Sequence, residues 1–98
     1  MKTSKAKKNF MNEKRIKKLI SSLSKILSNL SKEVFLVSTA SHGYNAGGIW
    51  TGMGESGICD YYIDPSFETL PSEIKTWLEK EELFLEWQNP GVVCIWSA

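Results

Sequence analysis

Leucine and isoleucine recur at intervals of three and four residues across the N-terminal third of this chain. The members of this apolar stripe are Ile16, Leu19, Ile20, Leu23, Ile26, Leu27 and Leu30. The spacing is typical of one side of an α-helix and predicts an amphipathic helix with Asn12 as its N-cap, ending near residues 30–32. Such a helix needs a second surface to bury its stripe. A chain of 98 residues supplies one hydrophobic core, which excludes a cofactor-binding domain paired with a separate substrate domain.

Basic and acidic residues are segregated along the chain. Residues 1–33 contain ten Lys or Arg and two Glu, a net charge of +8, whereas residues 34–98 contain two Lys and nine acidic residues, a net charge of −7. This asymmetry is typical of proteins whose basic end contacts nucleic acid, a membrane surface or an acidic partner. The alternative interpretation is that the basic helix packs on the acidic remainder, so that the two fields partly cancel.

The basic third supplies one candidate binding site. Residues 1–11 show no hydrophobic periodicity and are predicted to form a mobile basic arm, followed by a single domain over residues 12–98. Nucleic acid could contact this arm and the helix through salt-dependent contacts with phosphates. The helical candidates for those contacts are Lys14, Arg15, Lys17 and Lys18. A membrane-surface helix would need bulky aromatic side chains beside the stripe, where the sequence offers only Phe10.

Three short segments after the helix have the composition of β-strands. Residues 33–40 are rich in β-branched and aromatic residues, and the apolar run inside them predicts a strand covered on both faces. Residues 49–51 and 58–63 are predicted to form a second and a third strand. Turn-rich loops are expected over residues 41–48 and 52–57.

The C-terminal third predicts a second helix and a final strand. Ser72 is the expected N-cap of this helix, and Ile74, Trp77 and Leu78 form its apolar side. Residues 83–87 either continue the helix or form a strand that a turn joins to residues 92–96, and the alternation of apolar and polar residues favours this hairpin. Residues 92–96 are apolar on both faces and are expected to be central. The sequence therefore predicts an α+β fold with a mostly antiparallel sheet of four or five strands.

Gly52, Gly54 and Gly57 match the G-x-G-x-x-G pattern of dinucleotide-binding proteins. In those proteins the glycines lead into a helix whose N-terminus holds the pyrophosphate. Here a predicted strand follows them, and Glu55 would repel a phosphate. A glycine-rich hairpin turn is therefore the preferred interpretation.

His42, Cys59 and Asp60 are the residue types of a nucleophile, its base and an orienting carboxylate. A thiol on an apolar strand face is more often a small buried hydrophobe, and no neighbouring cation favours a thiolate. One His and two distant Cys also lack the paired spacing of a metal site. We expect no enzymatic activity, cofactor or metal ion.

The acidic half supplies the preferred binding site. Glu79, Glu82 and Glu86 lie in a charge run close to tryptophan and phenylalanine residues, and Trp50, beside two glycines, is the tryptophan expected to be most exposed. Tryptophan and tyrosine dominate the binding energies of many interfaces. The leading hypothesis is a small non-enzymatic module of the inhibitor or immunity type that binds a basic protein partner. If both helices cover the same face of the sheet, the other face is expected to form a partner or homodimer interface.

No segment has the pattern of a membrane span or a secretory signal. The longest apolar runs, residues 34–37 and 92–96, fall far short of the roughly 20 residues that a spanning helix needs. A cleaved mitochondrial presequence is an alternative interpretation of the amphipathic N-terminal end, although such peptides favour Arg and residues 1–33 contain one Arg and nine Lys. We expect a cytoplasmic protein in which Cys59 and Cys94 are reduced thiols.

Overall fold

A computed structural model describes residues 8–43 and 45–98. The helices are α1 (Glu13–Asn29) and α2 (Ser72–Lys80), and the strands are β1 (Leu36–Ser38), β2 (Ile49–Thr51), β3 (Leu83–Asn89) and β4 (Val92–Ser97). All neighbouring strands of the sheet are antiparallel. The predicted α+β fold is confirmed, with one helix before the sheet and a second helix before the C-terminal strands.

Helix α1 forms where the apolar stripe predicts it. The side chain of Asn12 accepts a hydrogen bond from the backbone N–H of Arg15 at 2.8 Å, which confirms the predicted N-cap. The residues of α1 that are buried are Ile16, Leu19, Leu23 and Leu27. Burial of this stripe joins α1 to the remainder of the hydrophobic core.

The sheet has the strand order β1-β2-β4-β3. Strand β4 is therefore central, as its two apolar faces predict, and Val93, Cys94 and Ile95 are each 0% exposed. Strand β3 lies at one edge and returns to β4 through a tight turn at residues 90 and 91. The hairpin interpretation of residues 83–87 is thus confirmed. The chain reaches this far edge from β2 through a long loop and α2.

The two faces of the sheet differ in what covers them. The core face, which packs against both helices, carries Leu36, Ile49, Leu83, Leu85, Trp87, Val93 and Ile95. The open face carries Val37, Trp50, Phe84, Glu86, Cys94 and Trp96. Both described helices pack on the core face. This arrangement meets the condition under which we expect an interface on the other face.

Part of the open face is covered by chain that approaches very closely. A Cβ atom on Gly48 would lie 2.6 Å from a ring carbon of Trp96, so only glycine fits at this position. The ammonium group of Lys8 also lies over Trp96, 4.7 Å from the centroid of its ring. The side chain of Trp96 is consequently buried although no helix packs on it.

The prediction of a strand over residues 33–40 is only partly correct. Strand β1 contains three residues and is followed by a 3₁₀ helix over Thr39–His42. Phe35 precedes β1 and is 57% exposed, so the apolar run is not covered on both faces as predicted. The N–H of Thr39 still donates to the carbonyl of Gly48, as in a regular ladder. The strand ends here because the return bond from the Gly48 N–H goes to the Thr39 hydroxyl instead of the Thr39 carbonyl.

The prediction of a strand over residues 58–63 is wrong. The carboxylate of Asp60 accepts hydrogen bonds from the backbone N–H groups of Tyr62 and Ile63, at 2.9 and 3.2 Å, and so forms a local turn that competes with pairing. Tyr62 and Ile63 are 80% and 82% exposed. The glycine-rich segment 52–57 is therefore a turn that leads into a loop, and its interpretation as a hairpin turn is also wrong.

Two terminal assignments need correction. Pro71 occupies the N-cap position of α2, no side-chain cap is present, and Ser72 is the first helical residue.

Residues 8–11 of the predicted mobile arm contact the domain, because the N–H of Asn9 donates to the carbonyl of Ser97 at 2.9 Å and Met11 is buried. The other residues of that arm lie outside the described part of the chain.

Neither α1 nor α2 combines the length and the apolar character that crossing a bilayer requires, and the same holds for every helix within residues 8–43 and 45–98.

The burial of Leu23 makes the contribution of α1 measurable. Leu23 is 0% exposed and belongs to the hydrophobic core, so its replacement by alanine leaves a cavity there. We expect Leu23→Ala to lower the free energy of unfolding by about 2–4 kcal/mol, measured by urea denaturation. Ser24→Ala, at the exposed next position of α1, serves as the control and should shift the midpoint little. An unchanged midpoint for Leu23→Ala would show that α1 is not part of the core.

Candidate functional site

A groove of about 840 Å³ lies beside the outer edge of β3 and is here named the β3 groove. One side is β3 itself, from Phe84 to Trp87, and the other side is formed by α2 and the loop that precedes it. Phe67 and Leu70 contribute from the loop, and Leu78 and Glu79 contribute from α2. Apolar side chains therefore form most of the lining, as in typical ligand-binding clefts.

The loop side of the groove is organised around Asp64. Its carboxylate accepts hydrogen bonds from the backbone N–H of Glu68 at 2.8 Å, and from the N–H and hydroxyl of Thr69 at 2.9 and 2.8 Å. These bonds to Thr69 and then to Glu68, aided by the charge of Lys75, lower the pKa of Asp64. The ammonium group of Lys75 donates to the carbonyl of Glu68 at 2.6 Å, which ties the loop to α2.

Phe67 is held against β3 in a conformation that favours glycine. Its φ angle is +60°, and its ring stacks on that of Trp87 with centroids 5.1 Å apart and planes 15° apart. The indole N–H of Trp87 donates to the carbonyl of Pro65 at 3.0 Å. The stack and the hydrogen bond fix the loop at the groove, because both connect it to an edge strand.

Aromatic rings continue from the groove onto the exposed loop. The ring of Tyr61 meets that of Trp87 edge-on, with centroids 5.4 Å apart, and Tyr62 meets Tyr61 at the same distance and a similar angle. Tyr61 and Tyr62 are both exposed. Sequence patterning missed this cluster because it assigned residues 58–63 to a strand, and only the composition of that segment signalled an aromatic surface.

The structure brings together two of the three predicted acidic residues. Glu79 and Glu86 both line the β3 groove, although they belong to different elements. Glu86 also pairs with the ammonium group of Lys8 at 2.7 Å and accepts a hydrogen bond from Gln88 at 3.0 Å. Glu82 lies in the turn between α2 and β3, with φ of +58°, and does not line the groove.

Trp50 lies apart from these glutamates, in β2 on the open face. It is half-buried, and its ring meets those of Phe35 and His42 with centroid distances of 5.6 and 4.5 Å. Cys94 separates it from Glu86 in the register of the sheet. Trp50 therefore belongs to a second aromatic cluster and not to the β3 groove.

The predicted nucleic-acid residues are divided between two roles. The guanidinium group of Arg15 donates to the carbonyl of Glu81 at 2.9 Å and to the hydroxyl of Ser97 at 3.4 Å, so Arg15 fastens α1 to the C-terminal segments. Lys14, Lys17 and Lys18 are exposed. Within residues 8–43 and 45–98 the sole ion pair is that of Lys8 with Glu86, so α1 does not neutralise the acidic half by direct pairing.

The residues considered for catalysis do not assemble. Burial, followed by the charge of Asp64, raises the pKa of the Cys59 thiol to about 12, which opposes a thiolate near neutral pH. Asp60 forms the local turn described above. His42 is exposed and contacts Phe35 and Trp50. In the described part of the chain, no group of three His, Cys, Asp or Glu side chains has the arrangement of a metal site.

No family model, no curated protein and no solved structure matches this chain. The chemistry of the β3 groove is therefore the ground on which a function is proposed.

The lowered pKa of Asp64 predicts a pH-dependent groove. A carboxyl whose pKa is lower in the folded state stabilises the fold above its unfolded pKa of about 3.9, and this contribution disappears as the pH falls through the folded value. We expect Asp64→Asn to lower the protection factor of the Thr69 amide at pH 7, because a neutral side chain is the weaker acceptor. In the wild type, the protection factor, which compares exchange with the intrinsic rate at the same pH, should fall as the pH drops through the lowered pKa of Asp64. Glu55→Gln, at an exposed position in another turn, is the matched control. If the Thr69 amide is protected equally in Asp64→Asn and in the wild type, Asp64 does not hold the loop at the groove.

Both cysteines should react slowly in the folded protein. Burial is the largest cause that raises the pKa of Cys94 to about 12, as it does for Cys59, and both thiols are free. We expect Ellman's reagent to label neither thiol rapidly at pH 8 and to label both in denaturant. Rapid native labelling of Cys59 that His42→Ala abolishes would instead support a nucleophilic cysteine.

Proposed function

We propose that this protein is a non-enzymatic binding module, of the inhibitor or immunity type, that holds a protein partner in the β3 groove. The observation that carries the proposal is the composition of the groove, where aromatic and aliphatic side chains surround two carboxylates from separate elements. Such a combination suits a partner that presents apolar side chains together with Lys or Arg. The free cysteines suit a reducing compartment, and we propose the cytoplasm.

Charge complementarity supports a basic partner. The acidic half of the chain has a net charge of −7, and Glu79 and Glu86 at the groove belong to it. Lys75 also lines the groove and keeps its positive charge while it donates to the carbonyl of Glu68. Because Glu86 is paired with Lys8, the carboxylate of the lining that no ion pair among the described residues engages is that of Glu79. The net negative charge of the acidic half accelerates the association of basic partners and repels acidic ones.

The aromatic side chains beside the groove support protein binding in particular. Trp87 is half-buried and fixed by its hydrogen bond and its stack, so it loses little side-chain freedom when a partner docks. Tyr61 and Tyr62 extend the same surface outward. Tryptophan and tyrosine in fixed positions are typical of the residues that dominate interface energies.

Selection from a random peptide library tests the proposal. We expect the wild-type protein to enrich peptides that combine Lys or Arg with apolar residues, and Glu79→Lys/Glu86→Lys to lose this enrichment because like charges then face each other. Glu33→Lys/Glu55→Lys is the matched control, since it changes the net charge equally at exposed positions outside the groove. Equal enrichment by all three proteins would contradict binding in the groove.

Nucleic acid is the competing class of partner, and it would contact α1 through Lys14, Lys17 and Lys18. A gel-shift titration with a short DNA duplex near physiological salt separates the two classes. We expect no sub-micromolar binding. Sub-micromolar binding that is lost in Lys14→Gln/Lys17→Gln/Lys18→Gln would overturn the proposal in favour of nucleic acid. Arg15 is left unchanged in this variant because it holds α1 to the domain.

A further inference from the structure

We infer that the ligand of the β3 groove is an extended segment of another protein that adds a fifth strand to the sheet beside β3. This inference rests on the proposed function and specifies how the partner binds. In this mode the backbone of the ligand supplies hydrogen bonds, and its alternate side chains supply specificity. The inference depends on the direction of the β3 backbone, on the groove beside it and on the charges that flank it.

The hydrogen bonds of the hairpin determine which β3 backbone groups face outward. The N–H of Ala98 donates to the carbonyl of Glu82 at 2.9 Å, and the register pairs the next residues, Leu83 and Ser97. In an antiparallel ladder, a bond between directly opposite residues marks a hydrogen-bonded pair, and such pairs alternate along the strand. Leu83 and every second residue after it therefore direct their backbone groups away from β4.

Two of these outward residues, Leu85 and Trp87, lie along the β3 groove. Among the described residues, no backbone hydrogen bond from another segment reaches the N–H or carbonyl groups of either one. Native sheets usually cover, shorten or charge such an edge. Here the edge faces a groove whose largely apolar lining offers few hydrogen-bond partners. The outward N–H and carbonyl groups of Leu85 and Trp87 are therefore available to the backbone of a ligand.

An irregularity near the end of β3 limits the length of the added strand. The register of the hairpin shifts between Trp87 and Asn89, and an irregularity of this kind bends the strand away from regular pairing. Pairing is thus confined to the five residues from Leu83 to Trp87. The ligand's backbone would lie in the β3 groove, about 4.8 Å from the backbone of β3.

The two sides of the added strand would meet different chemistry. On the core-face side, the ligand's side chains would contact Phe67 and Leu78, which favours apolar residues. On the open-face side they would lie beside Phe84 and Glu86, where a Lys or Arg of the ligand would share or replace the pairing of Glu86 with Lys8. Because side chains alternate along a strand, the preferred ligand alternates apolar and basic residues.

A second copy of this chain is a poorer occupant. Pairing two β3 edges would bring together two acidic halves, each with a net charge of −7, and would place the Glu86 residues of both copies in neighbouring strands. Carboxylates that face each other across strands are destabilising. A basic segment of another protein would instead place positive charges beside the carboxylates of the groove.

Backbone methylation of a defined peptide tests the binding mode. The probe is acetyl-Lys-Val-Lys-Val-Lys-Val-Lys-amide, and two derivatives carry N-methyl groups on all valines or on the internal lysines. Only one set of amides can face β3, namely those of the valines if the added strand is antiparallel and those of the lysines if it is parallel. We expect one derivative to bind at least about tenfold more weakly by isothermal titration, and the other to bind nearly as well as the probe.

Amide hydrogen exchange provides the second readout. Saturation with the unmethylated peptide should slow exchange at Leu85 and Trp87, whereas Phe84 and Glu86 should change little because β4 already occupies their backbone groups. Glu79→Lys/Glu86→Lys should weaken the peptide at least about tenfold, and Glu33→Lys/Glu55→Lys should bind it like the wild type.

Three outcomes would overturn the inference. The first is an absence of binding by the unmethylated peptide, and the second is equal binding by the two methylated derivatives. The third is a dimer detected by sedimentation in which the Leu85 amide is already protected from hydrogen exchange without any peptide. In each case the library selection with the charge-reversal variant still decides the proposed function. Selected peptides with apolar residues at helical spacing would support the module and reject strand addition.

Discussion

The burial of β4 on both faces is the constraint on which the remaining architecture depends. Four successive residues, from Val93 to Trp96, are at most 2% exposed. A strand of this kind is stable only between two other strands and with cover on each side, because water would otherwise contact its apolar side chains. Strands β2 and β3 provide the flanks, so β3 is placed at an edge. The position of the β3 groove follows from that placement.

Cover for the two faces comes from unlike sources. On the core face, α1 and α2 supply aliphatic side chains, and Trp77 extends this packing to α1 by donating its indole N–H to Ser22 at 2.9 Å. On the open face, Gly48 permits close approach to Trp96, and Lys8 covers the same ring. Cys94 is buried there as well. A domain of this size thus uses loops and a single lysine where a larger protein would place another layer.

The distribution of charge and the fold are connected only locally. Lys8 contacts Glu86, and the Arg15 side chain bridges α1 to the end of α2. The exposed lysines of α1 and the carboxylates at the β3 groove otherwise remain on separate surfaces. The proposal of a basic extended ligand rests on the carboxylates of Glu79 and Glu86 beside an open strand edge, where Lys8 already pairs with Glu86. Long-range attraction between the two surfaces is screened beyond about 8–10 Å at physiological salt.

The sequence by itself determined the elements whose patterns are strong and local. The three-and-four stripe of α1, its Asn12 cap and the alternation in β3 each depend on neighbouring residues, so periodicity was sufficient to predict them. The two apolar faces of β4 likewise predicted its central position. For the same reason, Glu79 and Glu86 could be selected as candidates from a run of carboxylates near aromatic residues.

Only the tertiary structure decided where these candidates lie and which segments between the strong elements are regular. The composition of residues 58–63 favours a strand, but the Asp60 carboxylate accepts hydrogen bonds from the backbone of its own turn, which competes with strand pairing. Glu79 and Glu86 line the same groove because α2 packs beside β3, whereas Trp50 lies on β2 beyond β4. Contacts between residues distant in the chain depend on which surfaces fit together, and a local pattern holds no information about that fit.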